Sequence, residues 1–248
     1  FITTKERIIP KPEESSSILD DLKDLVKNIP WVIMLTVTIL QFTTLAMKGG
    51  AYVYYLENYV SKNSLSDFIS PIIDFLSSIG INFFGSDPVS AGFGLFNAGG
   101  IIFMIIGIGL SKMLADKYGK RNVFGVFLFI STLFILVFYV LSPDSINLIF
   151  GAQIFHGFFY GITIPLLWAM IADVADYSEW KNNRRATAII FSAMMVGLKL
   201  GLSIGGALVA SILGSYGYVP NSVGEQTESA ILGTKMLVSI FPSIPFLS

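Results

Sequence analysis

Long apolar runs, separated by short polar connections, constrain this sequence more than any other feature. They cover about residues 30–55, 89–114, 122–141, 146–172 and 188–213, and a further run begins near Ile231. Each of the first five approaches or exceeds the roughly 20 residues that a helix needs to cross a bilayer. Composition agrees, because only 13% of the residues are charged, against about 25% in ordinary soluble domains. The sequence therefore predicts an all-α integral membrane protein.

The chain divides into two regions. Residues 1–29 are polar at first and then carry apolar residues at helical spacing between Ile18 and Val26. We expect a linker and a short amphipathic helix on the membrane surface, with a wholly solvated linker as the alternative. Residues 30–248 are expected to form a bundle of six membrane helices, with a short interfacial helix in the connection 61–88. Because the chain begins in a loop and its last run is cut off at Ser248, we expect a fragment with a truncated last helix.

Lys and Arg are concentrated in alternate connections. They cluster before the first run, after the second and after the fourth, whereas the opposite connections carry only Lys62. Positive residues favour the cytoplasmic side. We therefore expect the N-terminal segment and the 173–185 loop in the cytoplasm. The clustered residues are Lys5, Arg7, Lys11, Lys23, Lys27, Lys112, Lys117, Lys120, Arg121, Lys181, Arg184 and Arg185.

One lysine, Lys199, lies alone in the fifth run. If that helix begins near Ala188, Lys199 lies about 16 Å into it, near the middle of the hydrocarbon core. A charge at that depth is costly and indicates a functional site, although a structural lysine that snorkels to the interface is the alternative. The opposite side of the helix carries glycine at every fourth position, Gly197 to Gly205, which predicts close packing on another helix. The second run is also rich in glycine.

Two further runs carry polar residues at helical spacing. Such stripes usually face the bundle interior or a water-filled cavity. In the first run Lys48 lies late in the span, so snorkelling to the interface is an alternative to a role in a cavity. In the fourth run His156 either contacts substrate or a proton, or is a satisfied packing residue. The stripes are Gln41, Thr44, Lys48, Tyr52 and Tyr55, and Gln153, His156, Tyr160 and Thr163.

Charged residues dominate the connection after the fourth run. Carboxylates alternate there with nearby cations, which favours an ion-pair cluster over a pair of catalytic acids. A short basic turn after the second run holds Asp116 and Arg121, which can pair with neighbouring helix ends. The residues of the longer connection are Asp173, Asp176, Glu179, Lys181, Arg184 and Arg185.

Several segments of this sequence resemble one family of membrane proteins. They are Ala172–Lys181 (ADVADYSEWK), Lys199–Gly201 (KLG), Gly214–Tyr218 (GSYGY) and the opening Thr3–Arg7 (TTKER). Together they are similar to the C-terminal half of the glycoside–pentoside–hexuronide:cation symporters, the melibiose-permease-like branch of the major facilitator superfamily. The resemblance covers nearly the whole chain and is weak on substrate, since Met194 and Met195 stand where melibiose permeases carry polar side chains.

The resemblance implies symport of a sugar or glycoside with sodium or protons, by alternating access in the cell membrane. Substrate would contact Lys199, Gln153, His156, Tyr160, Gln41 and Thr44. A cytoplasmic charge network of Asp173, Asp176, Glu179, Arg185, Asp116 and Arg121 would hold one conformation closed. The coupling cation would be bound mainly by an N-terminal half absent from this chain, which with the lipid bilayer would be its partner. No other cofactor is expected.

Other function classes have less support in the sequence. It contains no nucleophilic triad, metal-ligand cluster or phosphate-binding glycine loop, so we expect neither an enzyme nor a metal site, and no nucleic-acid partner. A membrane sensor or assembly subunit is one alternative, but it would need neither a buried lysine nor aligned polar stripes. A transporter of lipids or other amphiphiles with the same fold is a second alternative.

Overall fold

The computed structural model describes residues 23, 25–81, 87–182, 187–220 and 226–247. Within these ranges, six segments are long and apolar enough to cross a membrane, which confirms the predicted integral membrane protein. Five are single helices, and the sixth, Glu228–Leu247, contains two. The helices are α1 (Ile29–Asn58), α2 (Lys62–Ser78), α3 (Pro88–Tyr118), α4 (Lys120–Val137), α5 (Ile146–Asn182), α6 (Thr187–Ser215), α7 (Glu228–Val238) and α8 (Ile240–Leu247).

Helix ends follow local capping chemistry. Asn28 caps α1 through its side-chain oxygen, and Asp87 caps α3 by accepting from both the backbone N–H and the hydroxyl of Ser90. These bonds hold the pKa of the Asp87 carboxyl below its usual range. Between α3 and α4 the chain turns at Gly119, whose φ of 82° suits a residue without a Cβ. The turn between these helices is therefore a single residue long, and the basic residues predicted for it lie on the adjoining helix ends.

The charged segment 173–182 is helical, so the prediction of a loop there is wrong. Helix α5 continues from the membrane span to Asn182 without interruption. The segment from Asp173 to Asn182 contains neither glycine nor proline, so nothing in it stops a helix that has already formed. Residues 183–186 lie outside the described ranges.

The short helix expected in the connection 61–88 is present as α2. Its apolar stripe buries Leu65 and Ile69, while Phe75 and Ile79 at its far end are exposed. The last membrane segment breaks at Ser239, between α7 and α8. Pro242 explains the break, because it has no N–H to donate to the carbonyl of Val238. Of the amphipathic helix expected before Ile29, only residues 23 and 25–27 are described, and Leu25 among them is buried.

Glycine allows two close helix contacts in the bundle. Gly197, Gly201 and Gly205 of α6 face α1, where a Cβ on Gly201 would come within 2.5 Å of the Ile39 carbonyl oxygen. On α3, Gly107 meets the backbone of Phe158 in α5 in the same way. Small residues let helix backbones approach in lipid, where apolar burial gives little driving force. Both predicted glycine-rich interfaces are confirmed.

A polar layer divides the core of the bundle into two apolar clusters. One cluster packs around Tyr55, Phe96 and Phe138, and the other around Trp31 and Leu167. Between them, α1, α4 and α5 contribute buried polar side chains that are at most 7% exposed. We call this set the polar layer. Its members are Thr38, Gln41, Thr43, Thr44, Lys48, Ser131, Thr132, Gln153, His156, Tyr160 and Thr163.

Candidate functional site

Helices α1 and α5 are joined by three polar contacts that follow one another along their length. Gln41 Nε2 donates to the Tyr160 hydroxyl over 3.3 Å, and Lys48 Nζ contacts His156 Nε2. The Tyr52 hydroxyl donates to Gln153 Oε1 over 2.7 Å. The residue numbers rise along α1 as they fall along α5, so the two helices are antiparallel. We call this series of contacts the polar ladder.

The middle contact of the polar ladder also reaches α4. His156 Nδ1 lies 3.1 Å from the carbonyl oxygen of Ser131 and 2.9 Å from its hydroxyl. Because a carbonyl oxygen only accepts, Nδ1 carries the hydrogen and Nε2 is free to accept from Lys48. The rings of Tyr52 and Tyr160 lie 5.5 and 6.0 Å from Lys48 Nζ, at cation–π distance. The lysine is thus held by α1 and α5 together.

Helix α8 packs beside the polar ladder. The Thr44 hydroxyl donates to the Pro242 carbonyl oxygen over 2.9 Å, and the Tyr160 ring stacks on Phe246. At this level Gln41 Oε1 is buried without a hydrogen-bond partner among the described residues. The bundle interior therefore holds an acceptor that a hydroxyl-bearing molecule would satisfy.

Five of the six predicted substrate residues come together in this layer. They are Gln41, Thr44, Gln153, His156 and Tyr160. Of the two alternatives for these stripes, the bundle interior and a water-filled cavity, this conformation shows the bundle interior, because all five residues are at least 93% buried between helices. Lys48 does not snorkel, since it is 6% exposed and bonded to His156. Its side chain stays inside because a polar partner lies within reach.

Ser131 of α4, which bonds to the His156 ring, was not among the predicted site residues. Between Val123 and Leu141 the third run is aliphatic and aromatic apart from Gly125, Ser131 and Thr132. That polar dipeptide in mid-span is the signal that would have pointed to it.

Lys199, the sixth predicted residue, lies apart from the polar ladder. It is exposed on the side of α6 that faces away from α1, together with Ser192, Met195 and Ser203. The Ser203 hydroxyl donates to the carbonyl oxygen of Lys199. By helical rise Lys199 is about 18 Å from the start of a helix about 43 Å long, close to its middle. The predicted separation between the glycine face and the lysine face is thus confirmed.

One residue of the predicted charge network, Asp173, forms an ion pair, and its partner is a cation that was not predicted. Asp173 accepts from Lys120 at 2.6 and 2.7 Å, across the ends of α5 and α4. Asp116, Arg121 and Asp176 are exposed near these ends, while Arg185 lies outside the described residues. Lys120 belongs to the predicted basic turn but was not among the network residues. Tertiary contact brings it to Asp173, 53 positions away in the chain.

A bundle of six membrane helices around a buried polar layer is typical of transporters that bind solutes at mid-depth. A family model described as MFS/sugar transport protein matches residues 75–248. The chain therefore belongs to this family of the major facilitator superfamily, which confirms the resemblance seen in its sequence.

Curated relatives agree with this assignment. The inner membrane symporter YicJ of Escherichia coli K12 is 28% identical over 100% of this chain and 47% of its own length. The isoprimeverose transporter of Lactiplantibacillus pentosus is 25% identical over 99% of this chain and 46% of its own. The glucuronide carrier protein homolog of Escherichia coli K12 is 29% identical over 60% of this chain. The chain thus spans less than half the length of these relatives.

Proposed function

We propose that this chain is one half of a symporter that moves a sugar or glycoside across the cell membrane, coupled to sodium or protons. The relatives named above include an isoprimeverose transporter and a glucuronide carrier homolog. In this proposal a second helical bundle completes the transporter and supplies most of the ligands of the coupling cation. The two bundles rock around a site near the bilayer centre.

The strongest support for the proposal is the position of Lys199. It lies at mid-helix on a face that this bundle leaves exposed, while the opposite face of α6 is closed by packing on α1. A lysine facing lipid at that depth is costly. It is far less costly if the lysine faces a hydrated pathway between two bundles. There its ammonium would donate to sugar hydroxyls or pair with a carboxylate of the other bundle.

The polar layer gives the site a second set of contacts. Gln41, Thr44, Gln153, His156 and Tyr160 carry the donors and acceptors that sugar hydroxyls require. In the present conformation each of them bonds to another group of the bundle. We propose that substrate binding replaces some of these bonds when α1 and α5 separate. The unpartnered Gln41 Oε1 is the acceptor that a substrate hydroxyl would reach first.

The charged ends of α4 and α5 would serve as a gate on the cytoplasmic side. The Lys120–Asp173 pair ties the two helix ends together and is partly exposed, so it can break without leaving a buried charge. In the proposed cycle this pair forms in one conformation and opens in the other. We propose that these helix ends and the N-terminal segment both lie on the cytoplasmic side of the membrane.

Uptake of labelled sugars by the full-length protein tests this function. Proteoliposomes would be given a panel of neutral glycosides, pentosides and hexuronides, with and without a sodium gradient and with and without a proton gradient. We expect accumulation of at least one sugar that depends on one of the two gradients. Empty liposomes and a membrane protein of another family are the controls. If no sugar enters, although the protein is inserted and monodisperse, the proposal fails.

A further inference from the structure

Lys48 and His156 form a buried pair. The pair has a charge of +1 when it holds one extra proton and is neutral without it. The two residues are 6% and 2% exposed, and Lys48 Nζ faces the Nε2 lone pair of His156. The Ser131 carbonyl fixes the hydrogen of the ring on Nδ1, so Nε2 stays an acceptor. A second proton would place two like charges in contact, which burial makes prohibitive. The pair therefore holds one exchangeable proton.

No carboxylate compensates this proton among the described residues, since every Asp and Glu in those ranges is exposed. The titratable groups that face the pair are Tyr52 from α1 and Tyr160 from α5. Helix α4 contributes the neutral Ser131, and α8 contributes Phe246 behind Tyr160. Helix α3 places Phe96 against Tyr52, so it adds no charge. The two lysines of the last two spans lie elsewhere. Lys199 is exposed on α6, and Lys235 lies over the rings of Tyr59 and Tyr139.

We propose that the Lys48–His156 pair is a proton-binding site of the transport cycle, loaded and emptied as α1 and α5 move relative to each other. In the loaded state the Lys48 ammonium donates to His156 Nε2. Release breaks one N–H bond and leaves a neutral amine beside a neutral imidazole, so one proton leaves and no other bond changes. The groups that stabilise the ammonium belong to both helices: Tyr52 to α1, His156 and Tyr160 to α5. Separation of the helices therefore weakens the binding of the proton.

The polar ladder supplies a route for this proton. The Gln41–Tyr160 and Tyr52–Gln153 contacts continue the polar groups on both sides of the pair, for about 16 Å along α1. The Tyr52 and Tyr160 hydroxyls can each donate and accept a hydrogen bond. A proton thus meets hydroxyl and amide groups in both directions within the apolar core.

This inference rests on the proposed function, and two transport measurements separate them. The first is exchange of labelled for unlabelled sugar, which needs no net proton movement. The second is accumulation driven by a proton gradient, with a pH-sensitive dye reporting proton entry. We expect the wild type to show both, and Lys48→Met to keep measurable exchange while it loses gradient-driven accumulation and proton entry. Lys235→Met is the matched control and should keep both.

Three outcomes would overturn the inference. One is Lys48→Met accumulating sugar under a proton gradient with wild-type proton entry. Another is a wild type that exchanges and accumulates sugar without moving protons, which leaves the proposed symport with sodium intact. A wild type that exchanges no sugar at all would overturn the proposed function, and the proton site as part of a transport cycle with it.

A spectroscopic test does not depend on sugar. His156 is the only histidine of this chain, and in the full-length protein its ¹⁵N ring signals are those lost in His156→Gln. We expect these signals to change with pH, and to change differently in Lys48→Met, because the two groups share one proton. Signals unchanged by pH or by the loss of Lys48 would refute the site. If Lys48→Met does not fold, Lys48→Met/His156→Phe replaces both partners by apolar residues, and its proton entry should also be absent.

Discussion

Lys48 and Lys199 both lie well inside membrane-spanning helices, and their surroundings are opposite. Lys48 lies inside the bundle, where α1, α4 and α5 supply a hydrogen-bond acceptor and two aromatic rings. Lys199 lies on the exposed face of α6 and gains nothing comparable from this bundle. The comparison teaches that depth alone does not define the role of a membrane lysine. One is satisfied by its own fold, and we propose that the other is satisfied by substrate or a second bundle.

Lys199→Ala should have the largest functional effect. If Lys199 faces the substrate pathway, its loss abolishes coupled uptake while the protein stays inserted and folded. Lys199→Arg should restore uptake only in part, because a forked guanidinium does not replace a compact ammonium. Uptake and substrate binding in the full-length protein provide the measurement, with Lys112→Ala, a change at an exposed lysine near the end of α3, as the matched control. Normal uptake by Lys199→Ala would show that the lysine is structural.

His156→Leu should have the largest effect on stability. The change leaves the Lys48 amino group buried without its acceptor, and an unsatisfied buried polar group costs about 1–3 kcal/mol, and more when it is charged. Lys199→Ala should change stability little, since the Lys199 side chain is exposed. Thermal unfolding of the detergent-solubilised protein would compare the two. Equal unfolding temperatures for both variants would erase the distinction between the two lysines.

Gly205→Ala and Gly206→Ala sharpen the comparison on a single helix. A Cβ at Gly205 would collide with the Thr43 carbonyl and come within 2.7 Å of Ala46 Cβ, whereas a Cβ at Gly206 meets nothing within 4 Å. Overpacking a closed contact typically costs about 1–3 kcal/mol. We therefore expect Gly205→Ala to lower the unfolding temperature and Gly206→Ala to leave it nearly unchanged. The reverse order would mean that α6 packs on α1 through its other face.

Lys120→Gln should have the smallest effect on stability, because its ion pair with Asp173 is roughly half exposed. Exposed pairs contribute about 0–1 kcal/mol. If the pair is a gate, the change should still shift the balance of conformations by up to about 1 kcal/mol, and so alter transport rate more than substrate affinity. Asp173→Asn should behave alike, with Lys117→Gln as the control. Loss of equilibrium binding with normal folding would contradict a gating role.

Much of the fold followed from local pattern. The apolar runs located the membrane segments to within about four residues, except at the end of α5, and the helical spacing of Leu65 and Ile69 indicated α2. The end of α5 was missed because charge was taken as a sign of a loop. A helix that leaves a membrane continues as long as its backbone hydrogen bonds continue. Charged side chains beyond the bilayer are solvated by water and do not unwind the helix. Local sequence there lacked a breaker, which was the better guide.

The sequence predicted which residues form the polar stripes of the candidate site, but not which of these residues contact each other. Spacing placed Gln41, Lys48 and Tyr52 on one face of α1, and His156 and Tyr160 on one face of α5. Nothing in the spacing said that these faces meet each other, so an open cavity was an equally natural expectation. The contact of Lys120 with Asp173 was hidden for the same reason, since it joins helix ends far apart in the chain.

The sequence by itself determined that this protein lies in a membrane and how many helices cross the bilayer. It also determined which face of each helix carries small, apolar or polar side chains. These properties depend on composition and on the 3.6-residue period, which are local. The tertiary structure alone decided which polar residue bonds to which, that Lys48 is enclosed and Lys199 exposed, and that the polar faces of α1 and α5 meet. Those facts depend on how helix surfaces pack, and packing selects among many pairings that the same stripes would permit.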